Sequence, residues 1–306
     1  MDKFKHLIGQ DKTKRRLSYY LKLHKKTSLV PFILYGGEKG AGKTEFARTF
    51  MSNLENSDGS KRHAIELNCS DIRNVDSFFD HLFVPEILDN EVTVFFDECH
   101  ALPKCLVNAF LTVFNTEDKT NKNYLHKGQS YLFDFKMQSF FFATTEIDKL
   151  FVPFKDRLTI VDLEPYQKSE IERIVSKVCK GLKIDDKTLQ EIGSRTRGNA
   201  RSAVKTAKEL KGFCETEDII DFGQKELEKF IYTIDLNLHG LNNIEKNILK
   251  ILKNGECSLQ ELSAKTGLSR TAIQRESEVH LLRKGLMKID GKRQITKEGR
   301  NVLEIK

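Results

Sequence analysis

The stretch Val30-Pro31-Phe32-Ile33-Leu34-Tyr35-Gly36-Gly37-Glu38-Lys39-Gly40-Ala41-Gly42-Lys43-Thr44-Glu45-Phe46-Ala47 decides the fold. Val30–Tyr35 is a short apolar run, which predicts a buried strand. Gly37 to Thr44 fits the pattern G-x-x-x-x-G-K-[ST]. Phe46, Ala47 and Phe50 then recur at helical spacing over Thr44–Leu54. Strand, glycine loop and helix in this order make a phosphate-binding loop. The glycines let successive backbone N–H groups wrap phosphate oxygens at a helix N-terminus. Lys43 is expected to reach the β- and γ-phosphates and the Thr44 hydroxyl to ligate Mg²⁺. Gly37, Gly40, Gly42, Lys43 and Thr44 are therefore candidate nucleotide-binding residues, and ATP with Mg²⁺ the expected cofactor.

Outward from the loop, Ala64–Asn68, Val92–Phe96 and Phe140–Ala143 read as further strands, the last apolar throughout, as a strand covered on both faces should be. Alternating strands and helices imply a parallel sheet with crossover helices. Asp97-Glu98 ends the strand Val92–Phe96, 54 residues beyond Lys43. Two carboxylates delivered there suit a phosphoryl-transfer site, with Asp97 on Mg²⁺ and Glu98 polarising the attacking water. Phe140–Ala143 ends in Thr144-Thr145, and Thr145 is the better candidate to touch the γ-phosphate or the water. Arg157, in Pro153-Phe154-Lys155-Asp156-Arg157, is placed to act as an arginine finger toward a neighbouring subunit; its alternative is an ion pair with Asp156. Arg201, in Arg197-Gly198-Asn199-Ala200-Arg201, opens a helix from which it would swing onto the nucleotide.

Residues 1–30 read as helical with Lys12, Lys14, Arg15 and Arg16 on one face. Beyond Leu163-Glu164-Pro165-Tyr166 only helices are expected, at Ser169–Lys180, Asp186–Arg195, Arg201–Lys211 and Asp218–Phe230. Residues 240–306 read helix, helix, helix, hairpin. Ser258 and Glu261 form a capping box, Gly267 and Ser269 separate the second and third helices, and Asp290-Gly291 turns the hairpin. This is the order of a winged helix. The expected fold class is α/β: an AAA+ P-loop core with a parallel sheet over residues 1–165, an all-α lid over 166–235 and a C-terminal winged helix over 236–306.

Charge supports that division. The net charge is +7 over 306 residues, and Leu241–Lys306 holds 14 Lys and Arg against 8 Asp and Glu. A basic terminal module suits a polyanion. No apolar run approaches a membrane span, the start MDKFKHLIGQ has no signal-peptide core, and the six cysteines form no CxxC pair. A cytoplasmic protein with reduced thiols and no membrane partner is expected.

The P-loop, Asp97-Glu98, the Thr145 tip, the two arginine motifs, the lid and the winged helix stand in one order that resembles the RuvB family of Holliday-junction motors, over nearly the whole chain. Ile8-Gly9-Gln10 is similar to that family's box near the adenine, and Asp97-Glu98-Cys99-His100 to its Asp-Glu-Ile-His. Thr116-Glu117-Asp118 matches a Glu-Asp pair near the nucleotide, and Leu163-Glu164-Pro165-Tyr166 a domain junction whose Tyr lies by the nucleotide. Ile234-Asp235 and Gly240-Leu241 resemble the entry to the winged helix. The resemblance implies a trans-acting Arg157, a lid Arg201 and a homo-hexamer. It implies a RuvA-like partner docked on a hairpin around Gly128 through Tyr124, Leu125, Tyr131 and Leu132. The duplex arms of four-way junctions would be gripped by Lys284, Lys288, Lys292 and Arg293. The chain departs from the family where Glu38-Lys39 replace two prolines, Glu45 brings a carboxylate near the α-phosphate, Lys155 replaces an arginine, and the wing is thinner in arginine. Residues that precede the Ile-Gly-Gln box in the family are expected to be missing. The reading is an ATP-dependent branch-migration motor; the alternative is an ATP-gated DNA-binding initiator or loader that does not translocate.

Overall fold

The computed structural model describes residues 3–115, 120–234, 236 and 238–304. The chain divides into two compact units, Met1–Tyr166 and Gln167–Lys306. The first is built on five parallel strands: β1 (Ile33–Gly36), β2 (His63–Asn68), β3 (Val92–Asp97), β6 (Gln138–Ala143) and β7 (Thr159–Asp162), in the order β2-β3-β6-β1-β7. A hairpin of β4 (Asn121–His126) and β5 (Gln129–Asp134) is inserted before β6, turning at Lys127-Gly128.

Strand alternation sorts the apolar residues into two cores. Phe140 and Phe142 face one side with Val94 and Phe96; Phe141 faces the other with Phe95. The first core is largely phenylalanine. Phe96 and Phe142 stack at 5.0 Å, and Phe78, Phe83, Phe110, Phe114 and Phe154 close around them. The second core seats the helix after the P-loop, with Phe50 edge-on to Phe141 at 5.3 Å, and the helix Asp11–Thr27 through Leu17 and Leu21. β1 and the Phe140–Ala143 end of β6 are buried on both faces, which is why those residues are apolar; Gln138 and Ser139 at the start of β6 are buried polar residues. The N-terminal helix starts at Asp11, later than expected, because Gly9 and Gln10 both adopt left-handed backbone (φ 66° and 58°).

The second unit carries helices Lys168–Val178, Asp186–Arg195, Ala200–Thr216 and Gln224–Thr233. It is not purely helical, as the sequence suggested. β8 (Lys183–Ile184) and β9 (Asp221–Phe222) pair in parallel, so the helix expected from Asp218 begins only after Gly223. The winged helix follows: Asn243–Lys253, Leu259–Thr266, a helical run over 270–283, and the hairpin β10 (Met287–Asp290) and β11 (Lys292–Ile295). The Ser258–Glu261 capping box is present, with Ser258 N–H donating to Glu261 at 2.6 Å and Glu261 N–H to the Ser258 hydroxyl at 3.2 Å. A closing helix, Lys297–Glu304, was not anticipated. Arg197 places its guanidinium on both oxygens of the fully buried Glu245 (2.7 and 3.0 Å), tying the Arg-Gly-Asn-Ala-Arg segment to the first winged-helix helix. All six cysteines are unpaired and only Cys105 is exposed. Among the described residues no helix is long and apolar enough to cross a membrane.

Candidate functional site

β3, β6 and β1 are neighbours, so their C-terminal ends bring three chemical groups to one edge of the sheet, where open parallel sheets bind ligands. β1 delivers the glycine loop. Gly37 and Gly42 have φ of 138° and 98°, backbone that a side chain strains. A Cβ at Gly37 would sit 3.0 Å from the Leu163 carbonyl, and one at Gly42 3.2 Å from the Tyr166 hydroxyl. Both positions therefore disfavour a side chain, through strained backbone and a tight approach to the junction segment behind the loop. The loop's path carries Lys43 into a buried position, where Nζ donates to the carbonyls of Gly37 (2.8 Å) and Glu38 (3.0 Å).

The Thr44 hydroxyl donates to Asp97 Oδ2 at 3.2 Å. Two oxygens, from the P-loop helix and from β3, thus converge and would be the protein's ligands to a hard cation. Among the described residues no cluster of three His, Cys, Asp or Glu could hold a metal. A site of one hydroxyl and one carboxylate fits Mg²⁺, which keeps waters and phosphate oxygens as its other ligands. Asp97 is itself fixed by the Glu98 N–H, which donates to Oδ1 at 3.0 Å. Glu98 adopts left-handed backbone (φ 52°, ψ 48°), and the Thr145 hydroxyl donates to its Oε2 at 3.1 Å. Thr145 is thus the threonine that meets the carboxylate. Thr144 is fully buried and bonds His100 and the Glu146 N–H instead.

The Ile8-Gly9-Gln10 segment is held at the exit of β7. The Gln10 side chain donates to the Glu164 carbonyl (2.6 Å) and accepts from its N–H (3.0 Å), as a strand neighbour would. Ile8 is half-buried and Gly9 buried. Glu45 is exposed on the first turn of the P-loop helix. Arg157 is half-buried, and its hydrogen bonds run to the carbonyls of Leu111 (3.0 Å) and Pro153 (2.6 Å) rather than to Asp156. Arg201 is exposed in the first turn of Ala200–Thr216, in the second unit. Thr116-Glu117-Asp118 and Asp235 lie outside the described residues.

Two groups of expected contact residues are partly covered. Tyr124 and Tyr131 face inward onto Phe79, at 5.5 and 5.0 Å, while Leu125 (70% exposed) and Leu132 (39%) face outward. Adjacent residues of a strand point to opposite faces, so the two leucines are the more exposed pair and the tyrosines are half-buried against Phe79. In the wing, Arg293 is bound to the buried Glu278 at 2.7 Å and its backbone pairs with Cys257, so its guanidinium is half-buried and already paired. Lys288 is exposed, Lys292 lies 3.3 Å from Glu256, and Lys284 is half-buried, its ammonium held below the ordinary lysine range by burial and then by Lys168. Arg270, Gln274 and Arg275 are exposed on the 270–283 helix, the element that enters the groove in helix-turn-helix folds. Three polar residues on that face, following the Ser269 cap, were the sequence signal for them.

Arg293→Ala is expected to destabilise the second unit by about 3 kcal/mol, because it strands a buried carboxylate. Chemical denaturation measures it. Lys288→Ala with Lys292→Ala should leave stability intact and reduce the slope of log affinity against log salt for duplex DNA by about 2.

Comparison with known proteins agrees with this fold. Residues 33–164 match the family described as ATPase family associated with various cellular activities, and residues 238–304 match the RuvB C-terminal winged helix domain. The chain is 24% identical over 296 residues to the Holliday junction branch migration complex subunit RuvB of Fusobacterium nucleatum, covering 93% of this chain and 86% of that one. It is 27% identical over 299 residues to the protein of the same name from Phytoplasma mali, at the same coverage. The fold matches the structure of Thermotoga maritima RuvB, Holliday junction branch migration motor, with a TM-score of 0.76, 21% identity and coverage of 98% and 96%.

Proposed function

Because the chain belongs to the RuvB family of AAA+ ATPases, we propose that it is an ATP-driven motor that moves duplex arms through Holliday junctions in recombination and repair. The observation that carries the chemistry is the pairing of Thr44 with Asp97 and of Thr145 with Glu98 at adjacent strand ends.

Lys43 leaves the loop carbonyls for the β- and γ-phosphates when ATP enters. Thr44 and Asp97 would hold Mg²⁺, which would neutralise charge at those phosphates. Glu98 accepts the proton of the attacking water while Thr145 fixes the carboxylate. Ile8, Gly9 and Tyr166 flank the nucleotide from the junction side, with Glu45 on the first turn of the P-loop helix. Subunits assemble as a hexamer in which Arg157 serves the next subunit's site, and Arg201 serves as the lid arginine. The module from 236 onward holds DNA through Lys284, Lys288 and Lys292, joined by Arg270 and Arg275. Leu125 and Leu132 form the docking tip for a RuvA-like protein, and the protein works in the cytoplasm.

The test is the ATPase rate with and without four-way junction DNA, with a RuvA-type protein added. Stimulation by the junction is expected. ATP binding without stimulation under any of these conditions removes the motor reading and leaves a nucleotide-gated DNA-binding switch.

A further inference from the structure

His100 sits in the single turn Cys99–Ala101 that follows Glu98, and it joins the tips of β3 and β6. Its Nδ1 lies 2.9 Å from the Thr144 hydroxyl and 3.4 Å from Glu98 Oε2, and its Nε2 lies 3.4 Å from Glu146 Oε2. The imidazole is thus set between two carboxylates, one of them the group assigned to the water. Its other partners are anchored in turn. Thr144 is fully buried and also accepts from the Glu146 N–H at 3.0 Å, and Glu146 is held by Lys149 at 2.5 Å. On one side the ring borders a cavity of about 350 Å³ lined also by Lys104, Asn108, Lys149 and Phe151. Packing does not fix the ring on that side, so polar contacts set its rotation.

Among the described residues, the polar contacts to the Glu98 carboxylate fall on one oxygen. Thr145 and His100 both address Oε2, which leaves Oε1 to accept from water. The backbone of Glu98 is in the left-handed region, which is unfavourable for a non-glycine residue, and such strain persists only where the surroundings over-determine it. We propose that His100, itself held by Thr144 and Glu146, is the positioning residue that aims the Glu98 carboxylate for ATP hydrolysis. His100 touches neither nucleotide nor water in this assignment; it acts through Glu98. The inference rests on the reading of Glu98 as the proton acceptor, and its test separates the two.

Single-turnover hydrolysis of Mg·ATP is measured without DNA for the full chain, together with affinity for a non-hydrolysable ATP analogue and the melting temperature. The variants are His100→Ala, His100→Asn, Glu146→Gln and Glu98→Gln. His100→Ala should lower the hydrolysis rate by about 10²-fold, the scale of a misplaced catalytic group, with analogue affinity unchanged. His100→Asn keeps a hydrogen-bonding atom near the position of Nδ1 and should recover most of the rate. Glu146→Gln should give an intermediate loss, since the amide still meets Nε2. A His100→Ala rate equal to wild type, or a loss that Asn does not restore and that tracks melting temperature, overturns the proposal while Glu98→Gln remains inactive. Hydrolysis surviving in Glu98→Gln instead overturns the assignment of Glu98. Failure of DNA to stimulate the enzyme affects neither result.

Discussion

Glu98→Gln is expected to lower ATP hydrolysis by about 10²- to 10⁴-fold, the range for loss of a positioned proton acceptor, while ATP affinity stays at the wild-type value. The amide keeps the shape of the side chain and still accepts from the Thr145 hydroxyl, which lies 3.1 Å from Oε2 in the wild type. The Thr44–Asp97 pair and the Lys43 loop are untouched by the change. What is lost is the basic oxygen that takes the water's proton. Equilibrium binding of a fluorescent ATP analogue and a phosphate-release assay measure the two quantities separately. A variant that turns over ATP at the wild-type rate would move the proton acceptor elsewhere. Glu146, linked to Glu98 through His100, is then the carboxylate to test.

The parts of this site legible in the sequence are those whose chemistry demands a fixed local pattern. The P-loop needs glycines at set intervals followed by Lys43 and Thr44, and a buried strand ending in two acids is conspicuous at Val92–Glu98. Thr145 could be chosen over Thr144 only weakly, since both end an apolar strand. Burial of Thr144 under His100 decides it. β7 went unrecognised because only Ile160 and Val161 are apolar in its four residues, too short a run for any period to register. The two-residue strands β8 and β9 are defined by each other across 36 residues of chain, from Lys183–Ile184 to Asp221–Phe222, and leave no local trace.

The residues whose surroundings did not show in the sequence share a cause. Arg293 reads as a wing cation, yet its partner Glu278 comes from a different element and is itself nearly inaccessible. An arginine at a wing carries the same sequence signal whether it faces phosphate or a buried carboxylate. Likewise Tyr124-Leu125 and Tyr131-Leu132 are adjacent pairs in which alternation must send one member inward. Phe79 and Phe83, some fifty residues upstream of β5, decide that it is the tyrosine. His100 gave no signal beyond its place after Asp97-Glu98-Cys99, because its partners lie at the end of a strand more than forty residues away.

Arg157→Ala is expected to cut hydrolysis by about 10³-fold or more under conditions of assembly, the scale of losing an arginine finger. The sheet itself argues that this residue serves another subunit. β7 runs parallel to β1, with Thr159 beside Ile33 and Asp162 beside Gly36. Arg157 therefore precedes the edge at which the strands begin, whereas the P-loop, Asp97 and Thr145 lie at the edge where they end. The four residues of β7 put about 13 Å of strand between those edges, and the guanidinium is anchored to the Leu111 and Pro153 carbonyls on its own side. In a ring, that side can meet the phosphates of a neighbour. Mixing makes the distinction: inactive Arg157→Ala subunits and inactive Glu98→Gln subunits should regain activity together, because some interfaces then unite an intact Glu98 with an intact Arg157. A guanidinium that only braces Leu111 and Pro153 would lower the melting temperature of the variant, and the mixture would stay as inactive as its components.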